Sequence, residues 1–324
     1  MRNNITALLL SMFLLTSGPF KGILANEIAK PSELTTRQST APIDAKIAIV
    51  VGIDLAKSLR QKGQNHRAIT ALDYVEEHYG TSGHLLLMRG AIKQQAKLHK
   101  SAVTDLSQAI EMNVYPAEAY ALRATSRFTL GDRKGAFEDL DAAFDVGVPT
   151  EACYLARGRI RFLDDQHKAA LEDFNKLVQM NPSSSFYYTT RASCHVMLGN
   201  HDDTIRDSVA VIRLDPKESK AFYFHASASA KLGNWNAALA DYENLVTLEG
   251  SAKAYAGRAN CHLRLGNYQE AVNDATSALR LDPHFLMAVK CRAISYAKLG
   301  KTKEAQSDVA LAKKLSRVAE KQER

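Results

Sequence analysis

From Ala45 onward, apolar side chains recur three and four residues apart, as in Phe137, Leu140 and Phe144. That spacing is the stripe of an amphipathic helix. The stripes are short and are cut at regular intervals by Leu-Gly pairs: Leu130-Gly131, Leu198-Gly199, Leu232-Gly233, Leu265-Gly266 and Leu299-Gly300. The last four glycines stand 34, 33 and 34 residues apart, and Gly131 precedes Gly199 by 68, two periods. A fixed period of this length marks a repeat array rather than a single globular core.

With the glycine at unit position 15, units begin near Ile49, Gly83, Ala117, Glu151, Ser185, Ser219, Ala252 and Leu286. Each reads as two helices and a turn. Position 8 is always small (Ala56, Gly90, Ala124, Gly158, Ala192, Ala226, Ala259, Ala293), and position 20 is Ala in every unit except for Thr204. Small side chains at fixed places let two helix backbones approach closely. The position 15 glycine suits the left-handed residue that ends a helix. Asp132, Asn200, Asn234 and Asn267 follow it as predicted caps of the next helix. Pro182, Pro216 and Pro283 close their units. Lys97 and Asp165 stand at the turn in the second and fourth units.

Tyr120, Tyr154, Tyr188, Phe222 and Tyr255 add a large ring at position 4. With these features the chain resembles the tetratricopeptide-repeat family over residues 45–316. The resemblance implies an all-α solenoid of about eight helix–turn–helix repeats, a right-handed superhelix whose first helices line a concave groove. Stacked helical pairs share a continuous core that one pair alone cannot bury. Residues 317–324 read as a charged terminal tail.

One feature departs from that resemblance, which implies leucine at position 7. Here stand Arg89, Arg123, Arg157, Arg191, His225, Arg258 and Arg292. Position 23 carries Asp105, Asp139, Asp173, Asp207, Asp241, Asp274 and Asp308. The first unit has Leu55 and Ala71 instead, so a unit holds both partners or neither. In a hairpin turning near position 15 the two positions are level, which predicts an ion-pair ladder within repeats. The competing reading, a row of guanidiniums for an acidic ligand, is disfavoured because buried charges are normally paired.

Composition alters this picture little. The chain has 324 residues, is 46% hydrophobic and 24% charged, and carries a formal net charge of +7. With no dense basic block, that excess admits an acidic partner but does not argue for nucleic acid. The N-terminus does change the picture. Arg2, the apolar stretch Ile5 to Phe20 and the small residues ending at Ala25 read as a cleaved signal peptide over 1–25. The run is too short for the ~20 residues of a membrane span. Residues 26–44, polar with two prolines, read as a linker. The expected place is therefore extracytoplasmic, periplasmic or secreted, with no integral membrane association after cleavage.

Export permits disulfides. Cys153, Cys194, Cys261 and Cys291 match no metal or redox spacing, and their helical positions predict free thiols. Cys194-His195 and Cys261-His262 occupy equivalent repeat positions, and adjacent helical residues point about 100° apart, so no metal site is expected there. No catalytic or nucleotide-binding motif is present. No catalytic residue, cofactor or enzyme activity is therefore expected.

Binding is the remaining candidate. The resemblance implies that positions 2, 5, 9, 12 and 13 face the groove. They give Phe128, Arg159, Phe162, Phe186, Lys220, Tyr223, Lys253, Asn260, Arg264 and Lys290. This mix of rings and cations suits a protein or peptide with apolar anchors and an acidic segment. The carboxylate clamp of the co-chaperone subfamily is not matched, since Ile53 and Lys57 stand at its positions. Two function classes stay open: a scaffold in envelope or secretion complex assembly, and a substrate-presenting subunit of an extracytoplasmic enzyme.

Overall fold

The computed structural model describes residues 45–322, so the segments read as signal and linker lie outside the described residues. Among the described residues are sixteen helices and no strand, the all-helical array that the repeat implies. The chain divides into two compact units, one ending at Ile160 and one beginning at Arg161.

The first unit holds α1 (Ala45–Gln61), α2 (Asn65–Tyr79), α3 (Gly83–Gln95), α4 (His99–Glu111), α5 (Pro116–Thr129), α6 (Arg133–Asp145) and most of α7 (Glu151–Leu163). Its core is built where consecutive hairpins meet. Ala56, Leu59, Leu72 and Val75 cluster with Leu85 and Ile92 of the next repeat. Further on, Ala124, Ala136 and Leu140 cluster with Cys153 and Ile160.

The second unit holds the end of α7, then α8 (His167–Met180), α9 (Ser185–Leu198), α10 (His201–Leu214), α11 (Ser219–Lys231), α12 (Trp235–Leu248), α13 (Ala252–Leu265), α14 (Tyr268–Leu281), α15 (Leu286–Lys298) and α16 (Thr302–Gln322). Each odd-numbered helix from α9 packs on the helix that follows it. The first helices also meet, α9 with α11 and α13 with α15. Phe222, Leu245 and Ala254 form one cluster; Ala256, Ala259, Ala275, Ala288 and Cys291 form another. All four cysteines are free and buried. Burial pushes Cys194 and Cys261 up to about 12 and, with Arg264 opposing, Cys291 to about 11. These three are therefore unreactive thiols that fill space.

The turns follow the glycine rule with two exceptions. Gly131, Gly199, Gly233, Gly266 and Gly300 take φ between 71° and 87°. Lys97 and Asp165 adopt the same left-handed region, at φ 62° and 59°, which is unfavourable for a residue with Cβ. The cap expectation needs correction. Asp132 does cap α6, accepting from the Gly135 amide, but Asn200, Asn234 and Asn267 make no side-chain cap bond. Asn200 and Asn267 instead place their amides 3.3 and 3.4 Å from the rings of His195 and His262.

Candidate functional site

The charged positions and the exposed positions do different things. At position 7, the arginine Nε and one terminal nitrogen fork onto the aspartate at position 23. The two distances are 2.9 and 3.0 Å for Arg89–Asp105, 2.9 and 2.7 Å for Arg123–Asp139, and 2.9 and 2.6 Å for Arg191–Asp207. Both are 2.7 Å for Arg258–Asp274 and 2.8 Å for Arg292–Asp308. His225 Nδ1 lies 2.6 Å from Asp241. In the fourth repeat Arg157 lies over the Phe144 ring at 3.6 Å in the first unit. Asp173, in the second unit, accepts from Arg161 at 3.0 Å. The ladder aspartates are buried, between 1% and 7% exposed.

Each guanidinium is engaged beyond the fork. In four of them the remaining nitrogen reaches the preceding repeat: Arg89 to Asp73 and Glu76, Arg123 to Ser107, Arg191 to Asn175 and Arg292 to Thr276. In three of them the face lies over the position 4 ring: Arg123 on Tyr120, Arg191 on Tyr188 and Arg258 on Tyr255. Hydrogen bonds to Asp207, Asp274 and Asp308, with burial opposing, raise the already high basicity of Arg191, Arg258 and Arg292. Engaged by the fork and by these further contacts, the side chains serve the array and are not free to bind a ligand.

A second basic residue at position 11 shares the aspartate. Lys93, Arg127 and Arg161 approach it at 2.7, 3.0 and 3.0 Å, while His195 and His262 stand at 3.8 Å. Burial holds His195 below the usual histidine range in spite of Asp207 and Asp203. The sequence signal for this second row was a basic residue one helical turn after position 7, blurred because its type changes from repeat to repeat.

The candidate binding residues fall into both units. Phe128 and Arg159 belong to the first. Phe128 is half-buried, packed on the core beneath the Arg133 guanidinium, whereas Arg159 is exposed. In the second unit Phe162 tilts against His167 with ring centres 5.0 Å apart. Phe186 stands 53% exposed on α9. Tyr223 is part of a polar cluster: its hydroxyl donates to Glu249 at 2.9 Å, Ser251 lies 3.1 Å away, and Lys253 Nζ sits 4.2 Å above its ring. Burial works against the charge of Glu249, but hydrogen bonds from Ser219, Tyr223 and Ser251, with the Lys253 charge, hold it below the usual carboxylate range. Asn260 lies beside the Cys291 thiol, at 3.9 Å, and Arg264 lies over Trp235. Lys220 and Lys290 are exposed.

The same five positions through α9, α11, α13 and α15 also include side chains that the sequence reading left out. Val196, Met197, Met287 and Ile294 are exposed apolar groups, and Lys231 and Lys298 are exposed cations. The first-helix face of the second unit thus carries six cations, Lys220, Lys231, Lys253, Arg264, Lys290 and Lys298, and no carboxylate at these positions. The first unit has its own counterpart, an apolar cavity of about 570 Å³ floored by Ile49, Val50, Ile53, Leu87 and Met88 beside Tyr115. Reading positions 2 and 5 in the first two repeats would have found it.

Comparison with known proteins agrees with the helical-repeat class. A family model for the tetratricopeptide repeat matches residues 252–285, which hold α13 and α14. Among solved structures, the chain is similar to the C-terminal part of a TPR repeat-containing protein from Cytophaga hutchinsonii. The identity is 15% and the TM-score 0.54, over 74% of this chain and 98% of that one. It is similar to human IFIT1, a dimer with PPP-AAAA, at 13% identity and a TM-score of 0.51, over 82% and 72%. MamA residues 41 to the end, from Desulfovibrio magneticus RS-1, give 15% identity and a TM-score of 0.50, over 52% and 96%. At these identities the likeness concerns the fold.

Proposed function

We propose that the chain is a protein-interaction scaffold whose second unit holds an acidic segment of a partner on its first-helix face. One observation carries the reading: across four consecutive repeats these five positions present six cations and no carboxylate, with Phe186, Val196 and Met197 exposed at one end. A partner segment with apolar anchors seats on α9, and its carboxylates meet the lysines of α11 to α15. The test probe is a fluorescent 15-residue peptide with two leucines at one end and six glutamates at the other. Lys220→Glu, Lys231→Glu and Lys253→Glu together are expected to weaken its binding at least tenfold and to flatten its salt dependence. Unchanged binding would move the site off this face.

The setting we propose is extracytoplasmic, in assembly of an envelope or secretion complex. Its support is Arg2, the short apolar stretch from Ile5 to Phe20 and the small residues ending at Ala25. No helix of the described residues is long and apolar enough to cross a membrane. N-terminal sequencing of the native protein is expected to begin near Asn26; a start at Met1 would overturn the setting and leave the binding face untouched.

A further inference from the structure

The last described repeat ends differently from those before it. α16 is 21 residues long, whereas α8, α10, α12 and α14 are 14. It runs straight through Arg317, at the unit position where Pro182, Pro216 and Pro283 follow the ends of earlier helices. The stacking residues change as well. At position 24, Leu72, Leu106, Leu140, Phe174, Ser208 and Ala275 are sealed, at most 1% exposed, and Tyr242 is half-buried, but Val309 is 44% exposed. At position 28, apolar from Ile110 to Leu279 in the intervening repeats, stands Lys313.

Between α15 and α16 this leaves a cleft of about 510 Å³. Ile294, Val309 and Ala312 form its floor, and Lys290, Lys313 and Arg317 form its rim. Ile294 is 49% exposed, at a unit position that is polar in most other repeats. No lining residue carries a carboxylate. Elsewhere in the array the equivalent surface seats a helix, the first helix of the following repeat, so the shape is that of a helix berth. Another arginine-bearing repeat is a poor occupant. Position 25, which supplies Asp73, Ser107, Asn175 and Thr276 as acceptors for the following arginine, is Ala310 here. A second copy docking face to face would set Lys313 and Arg317 against their own like charges.

We infer that this face docks an amphipathic helix of a partner protein. Its apolar side chains, spaced i, i+3, i+4 and i+7, lie over Ile294, Val309 and Ala312, and its carboxylates meet Lys290, Lys313 and Arg317. The surface differs from the acidic-segment site proposed above, sharing with it Lys290 and Ile294 at its edge.

The test uses the full chain and a fluorescein-labelled 18-residue helical peptide with leucine at that spacing and glutamate on its flanks. A twin peptide carries lysine for glutamate. The glutamate peptide is expected to bind and the twin not to bind. Val309→Asp with Arg317→Glu is expected to weaken binding at least tenfold, while Lys220→Glu with Lys253→Glu changes it less than twofold. Should Val309→Asp lower the unfolding midpoint, Arg317→Glu alone still tests the rim, with an expected loss of about threefold. Equal binding of both peptides, or loss only with the Lys220/Lys253 pair, overturns the inference. So does a concentration-dependent dimer, seen by sedimentation, that Val309→Asp dissolves, because a second copy would then own the face.

Discussion

Arg258→Ala is expected to lower the unfolding free energy by on the order of 3 kcal/mol, because it strands the Asp274 carboxylate. Asp274 is 7% exposed and receives both fork bonds from Arg258 at 2.7 Å, while the nearby His262 ring nitrogen stands at 3.8 Å. Asp274→Ala leaves the guanidinium over Tyr255 and partly open to water, so it is expected to cost less. The double variant removes both charges and should cost much less than the sum of the singles. Chemical denaturation of the four proteins measures the coupling. Additive losses, or single losses below ~1 kcal/mol, would make the ladder a rim feature. Where a second full cation shares the aspartate, as Arg127 does at Asp139, loss of the position 7 arginine is expected to be milder.

Gly257→Ala is expected to cost about 3 kcal/mol, the upper range for overpacking a close-packed site. A Cβ on Gly257 would sit 2.1 Å from Cε1 and 2.4 Å from Cζ of Tyr242. Tyr242 packs beside Ala226, Ala238 and Cys261, and burial pushes its hydroxyl up to about 12. The ring therefore has little room to move, and it stands edge-on to Tyr223 with centres 6.3 Å apart. Pairing the change with Tyr242→Leu should recover at least half the loss, because the smaller side chain makes room. The next repeat interface supports this: there the small Ala275 stands at the position of Tyr242, and the larger Cys291 fits at the position of Gly257 in the same cluster. Failure of Tyr242→Leu to help would mean that Gly257 is needed for its backbone rather than for its missing Cβ.

The helical-repeat fold was legible because position 8, the position 15 turn and the position 20 alanine recur in register. The fork was legible too, because Arg and Asp appear together or not at all. What the sequence obscured was whatever depends on the neighbouring repeat. The acceptors Asp73, Ser107, Asn175 and Thr276 share a position but not a chemistry, so no pattern announces that four of the arginines also reach backward. The asparagines after the turn look like helix caps from their type alone, yet Asn200 and Asn267 turn toward the histidines of the preceding helix. Phe128 occupies a position read as facing the groove, but it rests on the core because a ring there has apolar neighbours to cover. Lys231 and Lys298 needed only a complete reading of position 13.

The two roles assigned to charge, structural at positions 7 and 23 and binding on the first-helix face, separate in one measurement. The unfolding midpoint and the affinity for the leucine–glutamate 15-mer are determined on the same samples of Arg258→Ala and of the Lys220/Lys231/Lys253 triple glutamate variant. Arg258→Ala is expected to lose stability yet bind normally per folded molecule. The triple variant should keep its stability within ~0.5 kcal/mol, as exposed substitutions usually do, and lose at least tenfold in affinity. The reverse result, binding lost with Arg258 and retained in the triple variant, would make the arginine row the ligand site and contradict the account.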